Sequence, residues 1–161
     1  MSSSVFVTVG STCFDALVKA VTEERFRNLL GRLGYTGLTI QLGRGEVLPA
    51  EGSEVKWYRY KPSLREDMTN ASLIISHGGA GCIVESLSLG KPLVVVINEE
   101  LMNNHQTELA RQLYNDDHLL YTTPSGLYDV ILNIKDKSFE KFEPNDPSQF
   151  GLFLDSVMGH S

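Results

Sequence analysis

The sequence predicts an α/β protein with a Rossmann-like, mostly parallel sheet and helices on both faces. Three observations carry that expectation. Short apolar runs alternate with stretches of helical spacing. The runs are apolar at successive positions, as strands covered on both faces are. Glycine closes several of these segments, at Gly10, Gly34 and Gly90, where the chain must turn.

The elements follow in order. Val5 to Val9 is β-rich and ends at Gly10. From Phe14 to Leu33 the apolar residues recur at helical spacing, which fits one helix or two. Leu38 to Leu42 reads as a second strand and Val55 to Tyr60 as a third, stopped by Pro62. Ser63 and Glu66 form a capping-box pattern for the next helix. Leu73 to Ser76 is a fourth strand, nearly all apolar, and Ala80 to Leu89 a helix ended by Gly90. The fifth strand is LVVVI, residues 93–97, and His105 to Tyr114 is a helix. Leu119 to Tyr121 is a short strand. Pro124 to Leu132 is a helix with Thr123 as N-cap and proline at the first helical position. The expected organisation is one domain over 1–134, followed by a polar linker and an apolar C-terminal segment over 135–161. That last segment, FGLFLDSVM, is either a helix docked on the domain or a handle for a partner.

At 161 residues the chain is long enough for one well-formed core. Its net charge of −6 argues against bulk electrostatic binding to nucleic acid. Cys13 and Cys82 belong to no CxxC pair, so two free thiols are expected rather than a zinc site. No basic-then-apolar leader opens the chain, and its apolar runs fall far short of the ~20 residues that span a bilayer. The chemistry should therefore lie in loops at the carboxyl ends of the strands, where parallel sheets bind ligands.

Four loops stand out. Gly10-Ser11-Thr12 offers close backbone approach and two hydroxyls, as an ordinary turn or as a ligand contact. His77-Gly78-Gly79-Ala80-Gly81 opens a helix whose N-terminal N–H groups and dipole suit a diphosphate, with His77 as a further donor. Glu85, inside that helix, suits a diol such as the hydroxyls of a ribose. The run from Asn98 to Gln106 gathers amides and an imidazole, groups that read sugar hydroxyls. Tyr58 to Pro62 sets aromatics beside backbone groups that can meet a base. The dinucleotide GxGxxG and the P-loop are absent. Ser76 beside His77 makes no hydrolase, because there is no GxSxG elbow and Ser76 ends a buried strand.

Two stretches carry a resemblance: FVTVGST, and YRYKPSLREDMTNASLIISHGGAGCIVESLSLGKPLVVVINEELMNNHQTELA. They resemble the family of cytosolic catalytic subunits of the dolichol-pathway UDP-N-acetylglucosamine transferase, built like the C-terminal donor lobe of two-lobed GT-B glycosyltransferases. The resemblance implies UDP-GlcNAc as donor, a nucleotide-sugar-binding Rossmann-like domain over 1–134, and a polar linker with a C-terminal partner-docking helix over 135–161. It implies that Gly10, Ser11, Thr12, His77, Gly78, Gly79, Ala80 and Gly81 hold the diphosphate and that Glu85 takes the ribose. Tyr60 and Lys61 would border the uracil, and Asn104, His105 and Gln106 would face the donor sugar. It also implies a membrane-anchored partner that supplies the acceptor lobe and the dolichol-linked acceptor, and that recruits a cytoplasmic chain to the cytosolic face of the endoplasmic reticulum. No DxD motif is present, so no metal and no other cofactor is expected. No general base stands out, and it is expected on the partner. The rival reading is a non-catalytic UDP-sugar-binding regulatory module.

Overall fold

The computed structural model describes residues 3–50, 54–98 and 104–142, and for residues 104–107 the backbone alone. Six strands form one sheet in the order β3-β2-β1-β4-β5-β6, and every neighbouring pair is parallel. The strands are β1 (Ser4–Thr8), β2 (Gly37–Gln41), β3 (Lys56–Tyr58), β4 (Leu73–His77), β5 (Leu93–Val96) and β6 (Leu120–Thr122). The helices are α1 (Asp15–Thr22), α2 (Glu24–Arg32), α3 (Arg65–Asn70), α4 (Ala80–Ser88), α5 (Asn104–Asn115) and α6 (Leu127–Leu132).

The side-chain alternation of a strand explains why the apolar runs are continuous. Val5 and Val7 point into one core with Leu17, Val18, Phe26, Leu29 and Ile131, residues of α1, α2 and α6. Phe6 and Ile74 point into the other, with Met68, Ile83, Leu109 and Leu113 of α3, α4 and α5. Both faces are covered, so both need apolar residues.

Four local readings change. The segment from Phe14 to Leu33 is two helices, because Glu23 is extended at φ −61°, ψ 140°. The Thr22 hydroxyl donates back to Val18 O at 2.8 Å and closes α1 there. Strand β3 is shorter than Val55 to Tyr60. It lies at the sheet edge, and its last partner on β2 is Gln41, opposite Tyr58. Ser63 is not the N-cap: α3 starts at Arg65 behind Leu64, and Ser63 Oγ accepts from Arg65 N–H at 3.2 Å. At Pro124 the chain first makes a 3-10 turn, Pro124–Gly126. Thr123 stands at the N-cap with proline in the first turn, as expected, but its hydroxyl pairs with Ser125 Oγ at 3.1 Å and makes no cap hydrogen bond.

The chain beyond residue 134 stays on the body as far as it is described. Phe142 is 5% exposed in the second core, its ring edge-on to His118 at 5.4 Å. Glu140 N–H donates to Asp117 O at 2.8 Å, and His118 Nδ1 meets Glu140 O at 3.0 Å. The apolar segment FGLFLDSVM lies outside the described residues. Cys13 and Cys82 are both free thiols.

Candidate functional site

The strand order reverses between β1 and β4. From that seam the chain builds outward through β2 and β3 on one side and β5 and β6 on the other, and Thr8 pairs with Ser76 across it. The turn of residues 10–12 and the turn of residues 77–81 leave the sheet side by side at this seam. Such a crevice is where open parallel sheets bind ligands.

His77 is the centrepiece. A Cβ built on Gly10 would lie 2.6 Å from His77 Nε2, and one built on Gly79 would lie 2.3 Å from His77 Cε1. The imidazole is therefore lodged between two glycines from the two turns, in space that any side chain would fill. Burial pushes its pKa down from 6.5 to about 4, so the ring is neutral near pH 7. It can still donate one hydrogen bond. Next to it, α4 begins behind Gly79, which has no side chain to cap the helix. The first-turn N–H groups and the positive end of the dipole thus face the seam. Cys82, in the same turn, has its thiol pKa raised by burial first and by Glu85 second, so it is a poor nucleophile.

The neutral ring has a consequence for stability. His77 titrates near 6.5 when unfolded and near 4 when folded. Between those values the unfolded chain binds more protons, so this contribution is complete above pH 6.5 and is lost as pH falls towards 4. The difference in unfolding free energy between the wild type and His77→Gln should therefore shift in favour of the variant by up to ~3 kcal/mol on going from pH 7 to pH 4.5. Parallel urea titrations across that range measure it, and an unchanged difference would show that burial does not hold the ring neutral.

Three residues that build the site have no role in the sequence reading, although Arg59 lies in the loop from Tyr58 to Pro62. Gln41, buried at the end of β2, takes the N–H of Gly10 on Oε1 at 2.9 Å and gives Nε2 to Gly10 O at 2.7 Å. It also donates to Arg59 O at 2.6 Å and accepts from Val9 N–H at 3.2 Å and from the Thr8 hydroxyl. Gly10 thus spends both backbone groups on Gln41, and what it offers a ligand is room for His77. In the same turn the Thr12 hydroxyl donates to Val9 O at 3.2 Å. Arg59 Nη1 donates to Gly43 O at 3.1 Å and to Gly45 O at 2.7 Å, while Asp15 Oδ1 accepts from Glu46 and Val47 N–H. The loop after β2 is thereby fastened against the turn after β1. A polar amide in a strand buried on both faces is the one signal that points to Gln41.

The other expected residues sit around this centre. Glu85 lies within α4, and Arg65 of α3 approaches its carboxylate at 3.6 Å, both partly exposed. Tyr60 is 53% exposed, and its hydroxyl lies 3.5 Å from Ser11 O, which brings the loop after β3 to the turn after β1. Lys61 is tied to Asp67 at 3.1 Å and lies 4.3 Å from the centre of the Tyr58 ring. Tyr58 in turn donates to Asp67, and its own pKa is raised by burial and then by that carboxylate. Lys61 is thus held within this cluster. Asn104, His105 and Gln106 open α5 after β5, at the same end of the sheet, but their side chains lie outside the described residues, as do residues 99–103. A hollow of about 560 Å³ lies elsewhere, beside Tyr114, Tyr121 and Lys137 at the β6 edge. Its lining offers no glycine-rich turn or helix N-terminus.

Residues 4–155 match the glycosyltransferase family 28 C-terminal domain. The chain belongs to that family. Within the family it groups with proteins named UDP-N-acetylglucosamine transferase subunit ALG13. The mouse protein is 54% identical over 122 residues, which cover 73% of this chain and 10% of the mouse protein. The Candida glabrata protein is 30% identical over 194 residues, covering 96% of this chain and 98% of its own. The chain spans about a tenth of the length of the mouse and human relatives it matches. An NMR structure of ALG13 superposes with a TM-score of 0.71 at 23% identity, covering 98% of both chains. The fold of this family 28 domain is thus the GT-B donor-lobe fold expected from the sequence.

Proposed function

We propose that this chain is the donor-binding, catalytic subunit of an inverting transferase that moves GlcNAc from UDP-GlcNAc to GlcNAc-diphosphate-dolichol through a β1,4 linkage. The observation that carries the reading is the seam itself. An uncapped helix N-terminus and a neutral imidazole, set between Gly10 and Gly79, converge at the strand-order reversal. That arrangement fits a diphosphate, and the relatives are named for a UDP-sugar.

In the proposed reaction the acceptor C4 hydroxyl attacks the anomeric carbon, the bond to UDP breaks, and the new bond forms on the opposite face. Charge grows on the departing diphosphate. Helix N–H groups and the His77 N–H stabilise it, and dipoles fixed in advance need no reorganisation as the charge appears. Glu85 accepts from the ribose hydroxyls and fixes the nucleoside, Tyr60 and Lys61 border the uracil, and Asn104, His105 and Gln106 face the sugar. No metal is invoked. The general base and the acceptor site belong to a membrane-anchored partner, which brings the chain to the cytosolic face of the endoplasmic reticulum. Among the described residues no helix is long and apolar enough to cross a membrane.

The test is GlcNAc transfer from UDP-GlcNAc to a GlcNAc-diphosphate-lipid. The chain would be assayed alone, then with microsomes depleted of their own soluble subunit. Transfer is expected only with microsomes. Glu85→Ala should lower kcat/KM by roughly 10- to 100-fold, the loss typical of a hydrogen bond to a charged group. Transfer by the chain alone would overturn the split-enzyme reading. UDP binding without transfer in either setting would favour a regulatory module.

A further inference from the structure

We infer that Gln41 is a positioning residue that couples the diphosphate side of the donor site to its base side; the inference rests on the UDP-sugar reading above. Its amide has two ends: both hold the turn after β1, and the nitrogen also holds the loop after β3. Oε1 and Nε2 together hold the N–H and C=O of Gly10, at 2.9 and 2.7 Å, which fixes the turn against which His77 lies. Nε2 also holds Arg59 O at 2.6 Å, one residue before Tyr60. Tyr60 itself reaches back to Ser11 O. Thr8 orients the amide by donating to Oε1, which leaves Nε2 to face the two carbonyls. One planar group thus sets the spacing between the turn beside the phosphates and the loop beside the base.

This assignment differs from a general role in stability. A residue that only supports the fold changes the amount of active protein, so kcat falls and KM stays. A residue that only sets the spacing of two ligand contacts weakens ground and transition states alike, so KM rises and kcat stays. Gln41→Glu separates the two. It keeps size and an acceptor for Gly10 N–H, but turns an oxygen towards Gly10 O and Arg59 O in place of the amide donor.

The experiment measures UDP binding by calorimetry on the full chain, below the melting temperature of every variant. Transfer kinetics follow with partner-bearing microsomes. Thr8→Val, which removes only the hydroxyl orienting the amide, is the milder variant should Gln41→Glu not fold. Phe142→Ala, buried in the core beside His118, is the control for lost stability. We expect Gln41→Glu to raise the UDP Kd and the UDP-GlcNAc KM at least tenfold with kcat within threefold, and Thr8→Val to raise the Kd about threefold. Phe142→Ala should lower the melting temperature and leave the Kd unchanged. Wild-type binding with unchanged Kd in Thr8→Val and in any folded Gln41→Glu would overturn the inference, as would a fall in kcat at constant KM. A wild-type chain that binds no UDP would instead overturn the functional reading on which it rests.

Discussion

Gly79→Ala is expected to cut transfer sharply in a chain that still folds. The new Cβ would lie 2.3 Å from His77 Cε1 and 2.7 Å from Nε2. The same ring atoms, Nε2 and Cε1, also fill the space beside Gly10, so relief has to come from a turn of the ring itself. The ring must leave the seam, and the helix N-terminus loses its neighbouring donor. Overpacking of this kind costs about 1–3 kcal/mol of stability. Loss of a preorganised donor to the leaving group costs about 100- to 1000-fold in transfer. Urea unfolding and the microsomal assay measure the two separately. Transfer within a few-fold of wild type would remove His77 from the diphosphate site. Gly81, two residues on, makes the contrast: nothing lies within 4 Å of its Cβ position. Gly81→Ala should leave stability unchanged or raise it by up to ~1 kcal/mol, the helix-propensity difference.

Gly43→Ala is expected to be the most destabilising substitution considered. Gly43 sits at φ +61°, in the left-handed region. That conformation alone costs roughly 1–2 kcal/mol with a side chain. The added Cβ would also lie 2.1 Å from Thr12 O and 2.9 Å from Gly10 O. Both are backbone atoms, so relief requires moving the turn after β1 away from the loop after β2. The expected total is ~4 kcal/mol, a large share of the 5–15 kcal/mol typical of a domain. Binding should fall too, because the displaced atoms belong to the diphosphate turn. A urea midpoint shifted by less than the equivalent of ~1 kcal/mol would mean that the two loops do not approach this closely.

The fold was legible because its cause is local. Strands covered on both faces must be apolar at successive positions, and Val5 to Val7, Leu73 to Ile75 and Leu93 to Val96 are. Boundaries were less legible where tertiary partners decide them. Strand β3 runs only as far as β2 pairs with it, and Ser63 serves a turn before α3 instead of the helix start. In the site, His77 to Gly81 stood out because glycines at a strand-to-helix junction have few other uses. Yet the sequence could not rank those glycines: a side chain on Gly79 would meet the imidazole, and one on Gly81 would meet open space. Gln41 was illegible for a different reason. Its partners, Gly10 and Arg59, lie 31 and 18 positions away, and no window along the chain holds all three.

The strand order also governs how the molecule is assembled during synthesis. The first strand to be made, β1, lies in the interior of the sheet, with β2 on one side and β4 on the other. Its β4 edge, Val5 to Thr8, waits for residues 73–76. Until they emerge, the nascent chain carries an open apolar strand edge, a template for wrong pairing. The turn holding Gly10 is made early, and the segment holding His77 and Gly79 arrives with the strand that closes the seam. A nascent chain therefore gains its pocket at the same step in which it hides its most adhesive edge.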